Sequence, residues 1–178
     1  MRAQIGGATL IALASLISGR AAGEANADLT IDQQSFVSLA IRDDIRRPSN
    51  KHKFVRGTVV CLSTKIDEGQ TTGDGEAVLR NLRIPPALFE RLSTDGVKYV
   101  AGDECVVREN EKVRLAGPVP TPAVLLEIEI SDSAPSFARV AVAVAAELCD
   151  SNCRLTDTYA ARKTKHGWAI VHEGHIDE

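Results

Sequence analysis

The chain has 178 residues, 44% of them hydrophobic and 25% charged, with 21 Lys+Arg against 24 Asp+Glu for a net charge of -3. That is the composition of an ordinary globular domain large enough to bury a core, and it excludes disordered, collagen-like and coiled-coil chains. The slight acidic excess offers no counterion release on a nucleic-acid backbone and no attraction to an acidic membrane, so neither is an expected partner.

Arg2 and the amino terminus precede an apolar stretch over residues 5–17, followed by small and polar residues, which is the pattern of a secretory signal peptide over residues 1–27. The stretch falls short of the roughly 20 residues a spanning helix needs. No second long apolar run follows, so no stable membrane span is expected after cleavage. Ala25-Asn26-Ala27 is the best small-x-small site and leaves a single domain over 28–178; cuts after Ala21 or Ala25 are also compatible. The competing reading of the segment is a buried N-terminal helix. Export implies a periplasmic or extracellular protein, and in such compartments disulfides are the default use of cysteine.

Thr30 and Gln33 form a capping box, and Phe36, Val37, Ala40, Ile41 and Ile45 follow at helical spacing before Pro48, which predicts an amphipathic helix over 32–46 docked on a sheet. Residues 54–62 are rich in β-branched side chains and predict a strand carrying Cys61, followed by a polar loop over 67–75. Pro85 and Pro86 start a short helix with Leu88, Phe89 and Leu92 on its apolar side and Gly96 as a left-handed cap. A strand through Val97, Tyr99 and Val100 comes next. Residues 110–122 hold Gly117, Pro118, Pro120 and Pro122 and read as an extended connection or a sheet edge.

From Val124 onward alternation dominates, with strand candidates at 124–130, 137–148, 153–164 and 168–176, a β-meander. Leu126, Ile128 and Ile130 share one face and Glu127 and Glu129 the other. The alternating alanines of 140–145 are expected to leave shallow places where a helix approaches; a helix over 138–148 is the competing assignment. The expected fold class is α+β, an N-terminal helix packed on a mostly antiparallel sheet. Trp168 is read as a core residue.

Four cysteines allow three pairings. Cys149 and Cys153 flank the polar turn Asp150-Ser151-Asn152 and are expected to pair, leaving Cys61 with Cys105. The longer loop, some 44 residues, stabilises by about 3 to 4 kcal/mol in the chain-entropy model. Four reduced, buried cysteines are the alternative.

Strong catalytic motifs fail when tested in turn. Gly73-Asp74-Gly75 opens like a dinucleotide loop but has Val78 in place of the third glycine, and neither a phosphate loop nor a G-x-S-x-G elbow occurs. Asp67, Glu68, Asp74 and Glu76 lack the spacing of an EF-hand and read as a solvated loop. His172-Glu173-Gly174-His175 is one residue short of H-E-x-x-H, and in a regular strand residues three apart face opposite ways, so His172 and His175 need an irregular backbone to share a Zn or Cu ion. No cofactor is expected. His166 reads as an exposed turn residue. Asp157 and Tyr159 share one strand face with His172 on the next strand, the set an acid/base site would use.

The end of the chain, Tyr159-Ala160-Ala161-Arg162-Lys163 followed by His166-Gly167-Trp168-Ala169-Ile170-Val171, resembles the final hairpin of exported bacterial proteins of uncharacterised function. It also looks like the closing strands of NTF2-like and cystatin-like α+β folds, and that resemblance implies a helix packed into a curved antiparallel sheet and transfers no catalytic residue. The expected function is therefore a non-enzymatic binding or interaction module for a protein or small-molecule ligand. The alternative is a small hydrolase or isomerase with a sheet-lined pocket carrying Asp157, Tyr159 and His172. A ligand-sized concavity with one of those groups on its floor would favour the enzyme.

Overall fold

The computed structural model describes residues 27–48, 50, 54, 57–93, 96–107, 113–118, 121–145 and 155–177. Among them the elements run α1 (Ile31–Arg46), β1 (Val59–Thr71), β2 (Ala77–Leu82), α2 (Pro86–Leu92), β3 (Lys98–Ala101), a 3-10 turn (Gly102–Glu104), β4 (Cys105–Val107), β5 (Val113–Leu115), β6 (Thr121–Ala134), β7 (Phe137–Ala145), β8 (Leu155–Thr164) and β9 (Gly167–Asp177). This is an α+β fold, mainly sheet. The segment expected to be a signal peptide, up to residue 26, and Cys149 with Cys153 lie outside the described residues.

Helix α1 starts as its sequence requires. Thr30 Oγ1 accepts from the Gln33 N–H at 3.2 Å, and Gln33 Oε1 accepts from the Thr30 N–H at 2.9 Å. Asp32 in the first turn and Arg46 in the last both suit the helix dipole. Arg47, directly before Pro48, is extended and ends the helix, because proline disfavours helical geometry in the residue it follows. Pro86 likewise opens α2, which stops at Ser93; Gly96, with φ of 83°, serves the turn into β3 three residues later and does not cap the helix as expected.

The nine strands form one sheet with the order β2-β1-β6-β7-β8-β9. Strands β6 to β9 are the antiparallel meander read from the alternation, and the helical alternative at 138–148 is excluded through Ala145. The β1 expectation needs correction at both ends. The strand begins at Val59 and continues through the stretch expected as loop, Asp67 pairing with Leu79 and Thr71 with Ala77. Its polar outer half is a hairpin arm reaching past the core, held by ladder hydrogen bonds and the Glu68 and Arg80 ion pair. The true turn is confined to 72–75, where Gly75 takes a φ of 91°. Strand β1 also runs parallel to both β3 and β6, so its first four residues are flanked on two sides.

The core occupies the sheet face covered by α1 and α2. Phe36, Val37, Ala40 and Ile41 of α1 meet Leu126, Ile128 and Ile130 of β6 and Val140, Val142 and Val144 of β7. Glu129 stands exposed on the opposite side, as the alternation requires. Ala141 and Ala143 do not face the helix. Strand parity turns the valines inward and puts Ala141 and Ala143 on the outer face; the alanines buried in the core are Ala138 of β7 and its register partner Ala161 of β8, with Ala40 of α1. A second cluster on the outer face joins Val59, Cys61, Val100, Val113 and Ala123. There Cys61 and Cys105 lie at disulfide-bonding distance with Cα atoms 6.2 Å apart, holding the 102–107 segment against β1.

Trp168 is half-buried rather than enclosed. Its ring meets Phe36 edge-to-face with centroids 4.9 Å apart, and its Nε1 donates to Asp32 Oδ1 at 3.0 Å. Lys163 Nζ reaches the other oxygen of Asp32 at 2.7 Å, so the β8–β9 hairpin is clipped to the first turn of α1. Because part of the indole stays wet, Trp168→Ala should destabilise by about 2 to 3 kcal/mol, below the range for a fully enclosed aromatic. Urea denaturation checks this, and an unchanged midpoint would show that the clip contributes nothing.

Candidate functional site

The stripe Phe36, Val37, Ala40, Ile41 continues at helical spacing to Asp44, which is completely buried. A carboxyl carried into a core must be neutral, hydrogen-bonded or paired. Asp44 has all three kinds of help. Asn50 Nδ2 donates to its Oδ2 at 3.1 Å, the Tyr159 hydroxyl donates to its Oδ1 at 3.3 Å, and Asp157 lies within hydrogen-bond reach. Arg47, one turn further along, donates from Nε to the Tyr159 hydroxyl at 3.0 Å and stands 4.0 Å from Asp157 Oδ1.

Strands β8 and β9 supply the other half. Asp157 pairs with His175 and Thr158 with Gly174, but Tyr159 pairs with His172, so Glu173 is an extra residue in β9. An inserted residue reverses the alternation beyond it. The expectation that His172 and His175 point apart is therefore overturned: His172 Nε2 lies 2.7 Å and His175 Nδ1 3.2 Å from the same Asp157 oxygen. Asp157 is buried, while the two imidazole side chains are 27% and 32% exposed. The His172 ring also rests edge-on against Tyr159, centroids 5.4 Å apart. Asp157, Tyr159 and His172, singled out from the sequence, do converge. Asp44, Arg47 and Asn50 were missed, although the stripe spacing that found Ile41 also reaches Asp44.

Burial, reinforced by the neighbouring Asp157, pushes the Asp44 carboxyl up to about 8 against the lowering influence of Tyr159 and Arg47. Burial also works to raise Asp157, but hydrogen bonds from His172, Asp44 and His175 outweigh it and hold Asp157 below the ordinary carboxylate value. The Tyr159 hydroxyl is held well above the usual phenol range, first by burial and then by the charge of Asp44. At neutral pH the two carboxyls thus hold one proton between them, on Asp44, which donates to the Asp157 carboxylate. Chemically this orients an imidazole on a buried anion. Among the described residues no group of three or more His, Cys, Asp or Glu side chains is placed to hold a metal ion.

Two cavities lined by described residues lie elsewhere. One of about 820 Å³ opens at the notch where the neighbour of β1 changes from β3, paired through Leu62, to β2, paired from Thr64. Another of about 300 Å³ is a shallow groove on the outer face over Ala141 and Ala143. Asp157, Tyr159 and His172 line neither. No family model, curated protein or solved structure matches the chain.

The shared proton makes stability depend on pH in a definite direction. Asp44 ionises near 3.8 when unfolded and near 8 when folded, so its contribution is complete below 3.8 and is withdrawn as pH rises toward 8. Asp157 acts oppositely, its contribution present above the ordinary carboxylate value and lost as pH falls below that value through the lower folded one. Asp44→Asn should flatten the loss of stability between pH 3.8 and about 8, and Asp157→Asn should flatten the acid limb. Denaturation midpoints across pH check both, and an Asp44→Asn curve parallel to the wild type would refute the shared proton.

Proposed function

We propose that the chain is an exported, non-enzymatic binding module of the periplasm or cell exterior that holds a small-molecule ligand. One observation carries the reading: a cavity of ligand size lined by described residues is apart from the acid/base groups. The polar atoms of the Asp44 and Asp157 centre are engaged with one another, which suits a clasp between helix and hairpin better than a reaction site. Export is supported by the apolar segment of residues 5–17 and by the Cys61 and Cys105 pair, a use of cysteine favoured in oxidising compartments. None of the described helices is long and apolar enough to cross a membrane.

The second reading is a small hydrolase or isomerase at Asp157, Tyr159 and His172. It is favoured by the 2.7 Å contact between a buried carboxylate and a half-exposed imidazole, an arrangement that orients a general base.

Native mass spectrometry of the secreted protein tests all of this together. The expected spectrum shows a chain starting near Asp28, oxidised cysteines, and a small-molecule adduct that survives His172→Ala and disappears with Asn81→Trp, which obstructs the 820 Å³ cavity. An adduct lost with His172→Ala and kept with Asn81→Trp would favour the enzyme, and a bare chain in every sample would count against the binding module.

A further inference from the structure

The sheet ends at β9, and among the described residues no strand lies on its other side. The Lys163 N–H bonds the Ser136 carbonyl toward β7, so Lys163 and its register partner Trp168 share no ladder bond. Antiparallel alternation then makes Trp168, Ile170 and His172 the residues whose N–H and C=O groups point away from β8. Such an edge is a template for another strand, and proteins blunt it with charge, proline or a short run. Strand β2, at the other end of the sheet, is six residues long and carries Arg80 in its ion pair with Glu68. Strand β9 has 11 residues, and its 167–172 run holds no Lys, Arg, Asp, Glu or Pro.

Apolar side chains line both faces of that run. Trp168 and Ile170 lie half-buried against the core, and Ala169 and Val171 stand exposed on the opposite face, Val171 to 64%. The charges lie at its ends. Lys165 and His166 form the exposed turn before β9, and Glu173 and Asp177 follow the run; Glu173 also meets Arg139 of its own chain at 3.2 Å. This arrangement is complementary to itself. An antiparallel second copy sets the basic turn of each chain beside the acidic end of the other, whereas a parallel one sets like against like.

We infer that β9 is a self-association edge, pairing antiparallel with β9 of a second copy about a two-fold axis at Ile170. That register joins Trp168 to the partner's His172 through ladder bonds, uses the whole run up to the Glu173 bulge, and sets Val171 beside the partner's Ala169. The inference goes beyond the binding-module reading and does not depend on it.

Sedimentation velocity of the secreted protein across a concentration series, with amide hydrogen exchange at its low and high ends, tests this. A reversible dimer is expected, with the Trp168, Ile170 and His172 amides slowed at high concentration. Val171→Lys should weaken the dimer about ten-fold or more without lowering the melting temperature of the monomer, because the side chain is exposed there. Val106→Lys, which charges an exposed apolar residue of β4, should leave the dimer unchanged. Lys165→Glu should weaken association about three-fold, and adding Glu173→Lys should restore it. A monomer at every concentration up to about 1 mM overturns the inference. So does a dimer untouched by Val171→Lys, or one that leaves the three amides unprotected. If the chain stays monomeric while an alternating Val-Thr peptide protects those amides, the edge takes a foreign strand and the second copy is overturned.

Discussion

Burial of the Asp44 carboxyl is the constraint around which this end of the molecule is arranged. Helical periodicity leaves no choice about where the side chain goes once Phe36, Val37, Ala40 and Ile41 dock on the sheet. A buried carboxylate without partners is prohibitively unstable, so the fold keeps Asp44 protonated and brings Asn50, Tyr159 and Asp157 against it. Asp157 then becomes the buried anion, and it too needs donors. The extra residue Glu173 in β9 delivers them by turning both His172 and His175 to its side. Arg47 completes the set from the residue that closes the helix. Helix end, central hairpin strand and edge strand are thereby fastened by polar contacts as well as by packing.

The opposite end of the sheet solves a different geometrical problem. Strand β1 is longer than any single neighbour on its outer side, so β3 covers its first part and β2 its second. Where the two diverge a notch is left, and the Cys61 and Cys105 pair together with the close fit of Gly102 keeps the 3-10 turn at its rim. The two ends differ in how completely their polar groups are satisfied. The Asp157 centre spends its donors and acceptors internally, while beside the notch the Thr64 hydroxyl is buried without a partner among the described residues.

Much of this was legible in the sequence because it is local. The Thr30 and Gln33 box, the stop at Pro48, the paired prolines before Leu88 and the alternation after Val124 are all short-range signals, and all formed the elements they implied. Asp157, Tyr159 and His172 could be gathered from strand parity alone. What escaped depends on distant partners. The polar run after Leu62 extends as strand only because β2 returns alongside it, and the parallel pairing of β1 with β3 and β6 has no local signature. The inward face of 138–145 is decided by which parity meets α1, and it chose the valines. The Glu173 bulge is marked by nothing stronger than the neighbouring Gly174, yet it determines where both histidines point.

Two buried aspartates share one proton beneath the histidines. A carbon-13 NMR titration of the aspartate carboxyl carbons in the intact protein, with Asp44 and Asp157 assigned through their Asn variants, tests this. The Asp44 carbon should titrate in the neutral to mildly alkaline range while Asp157 titrates below the ordinary carboxylate value. Both carbons titrating near 3.8, as exposed aspartates do, would contradict it.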